Sequence, residues 1–207
     1  MLTELCSVRD VNGVHKLVRV YCSVEPGIGI HLLGMADAEV KESLLRTVTA
    51  LQANGYHIPG QRIVIRIVPD GYPYEKEIKV VGSWLDLPIG LAIIIASGQA
   101  KVDQRRAKMF LIAGELGLDG SIRPSYRLLG QRVYEVMANS IGISGCIVPF
   151  RTATEMCLNN PLAYTPRGLK DAVKILESEN GEGVEKMIAW NGSDWNTLVR
   201  SISKMSE

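Results

Sequence analysis

The sequence predicts an α+β fold in which helices pack on a mixed β-sheet. Segments in which apolar and polar residues alternate follow one another along the chain with segments of helical periodicity. A continuous apolar run at residues 87–96 predicts a fully buried helix. Because strand and helix patterns alternate, the helices are expected to cover the sheet. The 207 residues are enough for one or two compact domains with a substantial core.

The first half of the chain begins with strand signals. "ELCSV" and "KLVRVYCSVEPG" flank Asn12-Gly13, a pair typical of hairpin turns, and "GIHLL" is a third predicted strand. The first helix is predicted over "ADAEVKESLLRTVTALQANG", with Asp37 as its N-cap and Asn54-Gly55 as its end. Its apolar residues at helical spacing are Val40, Leu44, Leu45, Val48 and Leu51.

The next strand and helix are separated by a polar segment. "RIVIRIVP" predicts a strand with Ile63, Ile65 and Ile67 on one face and Arg62, Val64 and Arg66 on the other. "GYPYEKEIKVVGS" predicts a loop or a hairpin. In the buried helix that follows, we expect the Asp86 carboxylate to cap the N-terminus, and Pro88 to occupy the first turn.

The second half predicts shorter elements. "KMFLIAGELGLDGSIRP" predicts two strands around Asp119-Gly120, and "GCIVPF" predicts a short buried strand. "TATEMCLNN" predicts a short helix capped by Thr152 or Thr154, and "LKDAVKILESEN" a last amphipathic helix. "RLLGQRVYEVMANSIG" predicts a helix whose inward residues are Leu128, Leu129, Val133, Val136 and Met137.

Composition predicts a domain over residues 1–180, followed by a linker and a short helical tail over residues 181–207 that contains Trp190 and Trp195. The net charge of +1 excludes a global attraction to nucleic acid or to an anionic membrane. The N-terminus lacks a signal-peptide pattern, and no apolar run is long enough to span a bilayer, so we expect a cytoplasmic protein. The four cysteines form no CxxC pair, which predicts reduced packing residues and no metal site.

Several catalytic motifs are absent from the sequence. A P-loop needs a Gly-Lys dipeptide for its phosphate-binding lysine, and this sequence has none. Neither a GxSxG nor an HExxH motif occurs. His15, His31 and His57 lie far apart in the sequence, which favours surface or hydrogen-bonded core positions over a role as a catalytic base.

Two basic groups leave nucleic-acid binding open as an alternative to ordinary solvated surface. The first comprises Lys101, Arg105, Arg106 and Lys108. The second comprises Arg62 and Arg66, with Lys76 and Lys79. Because the overall charge is balanced, solvated surface is the favoured interpretation of both.

Four blocks resemble, in order, the N-terminal domain of the magnesium-chelatase-related ComM (YifB) family: "GMADAEVKESLLRTVTALQANGY", "LDLPIGLAIIIASGQ", "GELGLDGSIRP" and "GCIVP". The resemblance implies a fold similar to domain 2 of ribosomal protein S5, to the Lon protease domain and to the C-terminal domain of RadA. The motif residues of the blocks are Asp37, Lys41, Glu42, Ser43, Asp86, Pro88, Gly114, Glu115 and Gly120.

The resemblance to Lon also implies that the catalytic Ser-Lys dyad of that protease is absent from this sequence. A serine nucleophile needs a nearby base. Aligned on "DLPIG", the Lon serine position is occupied by Ile89, and the lysine position falls near Gln131. No lysine lies between Lys108 and Lys170, and Ser83 is a substitute nucleophile only if another base serves it. The resemblance therefore implies a non-catalytic scaffold, and the alternative is a Ser-Lys type, ATP-dependent peptidase related to Lon.

In that family the domain helps to assemble hexameric rings with an attached AAA+ ATPase that acts in DNA recombination. Here the resemblance stops near Asn180, and the sequence has no Walker motif of its own. It therefore predicts a homo-oligomer, an AAA+ ATPase supplied in trans and DNA as candidate partners. It predicts no cofactor, no metal, no membrane and no enzymatic activity of the chain itself.

Overall fold

The computed structural model describes residues 2–34, 37–70, 82–156, 162–178 and 186–187. The strands in these ranges are β1 (Leu2–Val11), β2 (Val14–Glu25), β3 (Ile30–Leu33), β4 (Arg62–Pro69), β5 (Phe110–Ile112), β6 (Glu115–Leu116), β7 (Ile122–Arg123), β8 (Gly145–Ile147), β9 (Leu162–Tyr164) and β10 (Lys186–Met187). The α-helices are α1 (Asp37–Ala53), α2 (Asp86–Ala96), α3 (Gln104–Ala107), α4 (Gly130–Ala138), α5 (Phe150–Glu155) and α6 (Leu169–Glu177). A 3₁₀ helix, Ser83–Leu85, leads into α2.

One mixed sheet organises the described part of the chain, with its eight strands in the order β10-β9-β8-β5-β1-β2-β4-β3. The β1–β2 hairpin turns at Asn12 and Gly13, which both have positive φ as the predicted turn requires. β2 pairs antiparallel with β4, whereas β3 pairs parallel with β4, and β5, β8 and β9 continue the sheet in parallel from β1. The remaining strands, β6 and β7, form a separate small hairpin.

Helix α2 lies in the core, and all of its residues are buried. It contacts β1 and β2 of the sheet, and it also contacts α1 and α6. Helix α4 packs on β2 and on α5. The predicted α+β architecture, with helices packed on a mixed sheet, is therefore confirmed.

The two faces of β4 differ as the sequence predicts. Ile63, Ile65 and Ile67 are buried, whereas Arg62 and Arg66 are exposed and Val64 is half-buried. Tyr21 of β2 lies opposite both Glu4 and Arg66 in the ladder, so these three residues share one face. We call this solvent-accessible side of β1, β2, β4 and β3 the open sheet face.

Some predicted elements differ from the structure. Leu45 and Leu129 are exposed and not inward-facing. Leu45 lies beside the buried stripe of α1, whereas Leu129 precedes α4 as its N-cap residue, with an extended backbone. Helix α5 begins at Phe150 and follows Pro149, so neither Thr152 nor Thr154 caps it; Thr152 is buried inside the helix. Residues 108–124 were predicted to form two strands, but they form three. The first, β5, joins the main sheet, and the other two form the β6–β7 hairpin. Strands β9 and β10 and helix α3 were not predicted.

Several predictions concern residues outside the described ranges. The loop or hairpin at 71–81 is one, and most of the tail is another, including Trp190 and Trp195. Two residues from the predicted linker, Lys186 and Met187, pair antiparallel with β9. Helix α1 begins at Asp37, whose side chain is not among those described, so its capping role stays a prediction.

Three cysteines, Cys6, Cys22 and Cys146, are buried free thiols, as predicted, and burial raises the pKa of each. Cys157 lies outside the described residues. Within the described part of the chain, no helix combines the length and the apolar character that a bilayer crossing requires.

Candidate functional site

The entry into α2 joins several parts of the chain. The Gly82 backbone N–H donates to the Glu39 carboxylate at 2.8 Å, which ties the start of the 3₁₀ helix to α1. The Trp84 indole N–H donates to the Val8 carbonyl at 2.8 Å, which anchors the same segment to the sheet. Backbone hydrogen bonds from Gly114 to Trp84 and from Leu87 to Gly114 attach it to the chain before β6.

Asp86 begins α2 but does not cap it, which corrects the sequence prediction. The N-cap position belongs to Leu85, and no side chain makes a capping hydrogen bond there. The Asp86 carboxylate instead accepts hydrogen bonds from Ser43 Oγ at 2.7 Å and from Arg46 Nε at 2.6 Å. The Leu116 backbone N–H also donates to it. The carboxylate therefore connects α1, α2 and β6. Pro88 lies in the first turn, where its missing N–H costs nothing, as predicted.

The Asp86 carboxylate is fully buried, and its charge is maintained by these donors. Burial raises the pKa of Asp86 to about 6, although the hydrogen bonds and charge of Arg46 and the hydroxyl of Ser43 act in the opposite direction. Arg46 also forms an ion pair with Glu42, one turn earlier on α1. The network is therefore a buried ion pair extended by a more exposed second carboxylate.

A cleft of about 270 Å³ lies beside this network. Its walls come from α1, the segment that leads into α2, β6, and the loop before α4. The described residues that line it are Glu39, Glu42, Arg46, Gly82, Ser83, Trp84, Glu115, Ser125, Tyr126 and Arg127. The lining is mostly polar and charged, and the exposed side chain of Tyr126 supplies aromatic surface.

Comparison with known proteins identifies the family. The model of the family "Subunit ChlI of Mg-chelatase" matches residues 20–152, more than half of the chain. The chain belongs to this magnesium-chelatase ChlI family. The match includes α1, α2 and every residue that lines the cleft. The family resemblance inferred from the four sequence blocks is thereby confirmed.

Three relatives show how far the similarity extends. The competence protein ComM of Haemophilus influenzae is 28% identical over 175 residues, which cover 82% of this chain and 32% of that protein. The uncharacterized protein YifB of Salmonella typhimurium is 33% identical over 95 residues, covering 46% of this chain and 17% of that protein. An uncharacterized protein of Mycobacterium bovis is 33% identical over 119 residues, covering 57% of this chain and 22% of that protein. The chain therefore matches about a third or less of the length of these relatives.

The two positions that the sequence resemblance assigns to the Lon dyad have different environments in this ChlI-family chain. Ile89 is fully buried in the apolar helix α2. Gln131 is exposed on α4. Ser83 does line the cleft, and its Oγ lies 3.5 Å from Ser125 Oγ. Of the described residues around the cleft, none is a lysine or a histidine that could accept the Ser83 proton.

The motif glycines and polar residues have mainly structural contacts. A Cβ atom on Gly120 would lie 1.9 Å from the Asn54 amide nitrogen, so this turn approaches the end of α1 too closely for a side chain. Ser43 is buried against Asp86, whereas Glu115 is half-buried at the cleft. Lys41 is exposed on α1.

The first basic group lies on and around the short helix α3. Lys101, Arg105 and Lys108 are exposed, whereas Arg106 is half-buried with its guanidinium 5.5 Å from the centre of the Phe110 ring. Lys108 also forms an ion pair with Glu4 at 2.5 Å. Part of this group is therefore engaged in contacts within the protein.

The second basic group lies on the open sheet face. Arg62 forms an ion pair with Glu25 at 2.8 Å, and Arg66 is exposed. Glu4, which binds Lys108, faces Tyr21 and Arg66 across the strands. The structure therefore brings Lys108 and Arg66 to one face, but acidic residues separate the basic ones. Lys76 and Lys79 lie outside the described residues.

The histidines and acidic residues of the described chain form no cluster of three or more metal-ligating side chains. His31 and His57 are exposed, as predicted. His15 is buried against Trp84, with 6.0 Å between the ring centres, and burial lowers its pKa. A hydrogen bond with the Arg127 backbone acts on its pKa in the opposite direction, and His15 therefore occupies a buried core position.

Sequence reasoning missed Arg46 and Glu39, and it also missed the loop at Ser125–Arg127. A signal for the first two is present in α1, because Glu39, Glu42, Ser43 and Arg46 recur at intervals of three and four residues. This spacing predicts one polar stripe on a helix. It does not reveal that the partner of the stripe is a buried aspartate forty residues later.

Proposed function

We propose that this chain is a non-catalytic, Lon-like scaffold domain of the ComM and magnesium-chelatase family. In this proposal it assembles into oligomers and works on DNA with an AAA+ ATPase supplied by another chain. The name of one relative, competence protein ComM, supports the DNA-related part of this proposal. We also propose that the folded domain extends beyond the predicted boundary at residue 180 to Met187, because Lys186 and Met187 pair with β9.

The observation that carries the proposal is the use of the head of α2 for packing. Ile89, at the nucleophile position of the related proteases, is buried hydrocarbon. Asp86, three residues earlier, is bound by Ser43 and Arg46. A helix start that supports catalysis would need reactive groups facing a substrate, whereas these groups face other parts of the chain.

The competing function is that of a serine peptidase, and Ser83 is its best nucleophile because it lines the cleft beside Ser125. A fluorophosphonate probe labels an activated serine covalently, and a casein assay reports peptidase turnover. We expect neither labelling nor turnover above that of Ser83→Ala. Labelling of the unaltered chain that Ser83→Ala abolishes would replace the scaffold proposal with a peptidase.

Assembly is tested by light scattering and native mass spectrometry of the full chain, alone and with a candidate AAA+ ATPase encoded beside it. We expect a defined oligomer or a stable complex whose ATPase rate differs from that of the ATPase alone. A chain that stays monomeric, leaves the ATPase rate unchanged and binds no DNA at low salt would overturn the scaffold proposal.

A further inference from the structure

The cleft beside Asp86 carries more negative than positive charge. The described charged residues that line it are Glu39, Glu42, Glu115, Arg46 and Arg127. Because Arg46 is bound by the buried Asp86, three carboxylates and one guanidinium group remain, which gives the cleft a net charge of −2. Glu42, whose side chain is 70% exposed, and Tyr126, which is 80% exposed, are open to solvent. The cleft therefore favours a partner that presents basic side chains together with some apolar surface.

The first basic group, on and around α3, is a surface of the opposite charge. Residues 101–108 carry four basic side chains and one acidic side chain, a net charge of +3. Two further carboxylates lie beside them, Glu4 in an ion pair and Glu177 on the Lys101 backbone N–H, and the net charge with both included is still +1. The side chains of Lys101 and Arg105 are exposed, and neither forms an ion pair with a described side chain. Both are therefore available to a partner.

The cleft and the first basic group lie at opposite ends of the core helix α2. The 3₁₀ helix that lines the cleft leads into the N-terminus of α2, whereas the basic group follows its C-terminus. A helix of eleven residues is about 16 Å long. Strand β1 shows the same separation, because the Val8 carbonyl accepts the Trp84 indole N–H at the cleft, whereas the Glu4 N–H donates to α3. A chain therefore cannot place this basic group in its own cleft, whereas a second copy can.

We infer that the cleft of one copy of this chain receives the first basic group of a second copy. Lys101 and Arg105 contact the carboxylates of the cleft, and Met109, which is 43% exposed, packs against the Tyr126 ring. The contact joins two different surfaces, so it repeats from copy to copy and gives a ring if the rotation closes, or a filament if it does not. This inference rests on the homo-oligomer of the proposed function and adds the surfaces that form it.

Charge reversal in the full chain tests the contact. Glu42→Lys alters the cleft and Arg105→Glu alters the first basic group, both at exposed positions. Each alone should raise the dissociation constant of the oligomer at least about tenfold, and the two together in one chain should restore assembly. Glu135→Lys and Lys170→Glu are the controls, because Glu135, like Glu42, is exposed and paired with an arginine of its own helix, and Lys170 is an exposed lysine of α6. Sedimentation equilibrium is measured at low salt, since salt screens contacts between exposed charges.

The outcomes separate this inference from the proposed function. An oligomer that neither substitution weakens, or one that both weaken and their combination does not restore, would overturn the inference and leave assembly to other surfaces. An unaltered chain that stays monomeric would also overturn it, whereas the proposed function fails only if the chain further leaves the ATPase rate unchanged and binds no DNA. If Arg105→Glu leaves the oligomer intact but weakens binding of a labelled DNA duplex, the first basic group is a DNA site and not an assembly surface.

Zero-length cross-linking identifies the two surfaces directly. A carbodiimide joins the Lys101 amine to a carboxylate in contact with it, and we expect peptides that link Lys101 to Glu39, Glu42 or Glu115. The oligomer is formed from an equal mixture of ¹⁴N- and ¹⁵N-labelled chains, combined at high salt before assembly. Because the link joins two copies, these peptides should include pairs of mixed label. Linked peptides of a single label only, or none that join Lys101 to the cleft, would contradict the inference.

Discussion

Asp86 connects three elements beside the cleft. Its fully buried carboxylate binds Ser43 and Arg46 of α1 and the Leu116 backbone of β6. Removing one partner of a buried ion pair leaves the other charge without compensation, which typically costs about 3–5 kcal/mol. Because Arg46 is partly exposed and retains Glu42, the lower end of this range applies.

We therefore predict that Asp86→Ala lowers the free energy of unfolding by about 3 kcal/mol, measured by urea denaturation. Asp103→Ala is the matched control, because Asp103 caps α3 by accepting the Arg105 backbone N–H at 2.9 Å. Loss of that cap should cost about 1 kcal/mol. Equal effects of the two substitutions would show that Asp86 contributes no more than a cap does.

The raised pKa of Asp86 predicts a pH dependence with a definite sign. The folded-state pKa is about 6, above the ordinary value of 3.8, so the folded protein binds this proton more tightly than the unfolded chain does. Stability from this group therefore increases as the pH falls through 6 and is lost as the pH rises through it. Relative to Asp86→Asn, the unaltered protein should gain about 1.4 kcal/mol between pH 7 and pH 5.

The comparison with Asp86→Asn removes the contributions of other titrating groups, His15 among them, because both proteins contain them. His15 has a lowered pKa and would by itself destabilise the fold on acidification. Urea denaturation at both pH values measures the difference. A difference that stays constant, or that shrinks at pH 5, would contradict the raised pKa.

Among the elements, α2 depends most on complete burial. It has no polar side chain from Leu87 to Ala96, and every one of its residues is buried. Ile89→Ser both removes buried hydrocarbon and introduces a hydroxyl group, so we predict a loss of about 3–4 kcal/mol of unfolding free energy. Ile141→Ser, at a fully exposed position in the α4–β8 loop, should change it by less than about 0.5 kcal/mol.

The same substitution tests the proposed relation to the Lon proteases at the level of the element. Ile89→Ser combined with Gln131→Lys places both residue types of the Lon dyad at the positions that the sequence resemblance assigns to them. It should produce no fluorophosphonate labelling, because position 89 is buried whereas position 131 is exposed. Labelling of the serine at position 89 in a folded double variant would show that the site geometry has been retained.

Elements with strong local signals were the predictable part of the fold. The β1–β2 hairpin follows from Asn12-Gly13, and the facing of β4 follows from its alternating isoleucines. Strands β9 and β10 contain three and two residues, too few for a period to appear, and they are held by pairing to β8 and to each other. Their formation depends on the sheet and not on their own sequence.

The candidate site was predictable only in part for a similar reason. Asp86 and Ser43 were identified as motif residues, but the role of Asp86 depends on Arg46, which is separated from it by forty positions in the chain. A single sequence shows an aspartate before an apolar helix, and capping is the usual local explanation. The buried partner becomes visible only when α1 is packed against α2.

At the scale of the whole molecule, the distribution of charge on the open sheet face limits nucleic-acid binding. Arg62 is paired with Glu25 and Lys108 with Glu4, so these basic residues are partly neutralised. Arg66 and Arg105 are also exposed, but neither forms an ion pair with a described side chain, in contrast to Arg62 and Lys108. If DNA binds, these two residues should contribute more phosphate contacts than the paired ones.

We predict that Arg66→Glu and Arg105→Glu each weaken DNA binding and that Arg62→Glu weakens it less, because Arg62 is already held by Glu25. Each lost phosphate contact should reduce the slope of log K against log salt by about 0.9 for duplex DNA. Fluorescence anisotropy of a labelled duplex, measured over a series of salt concentrations, gives both the affinity and the slope. Lys170→Glu on α6 is the control for a general change in net charge. If all four variants weaken binding equally, the contacts reflect overall charge, and neither the open sheet face nor α3 is a DNA site.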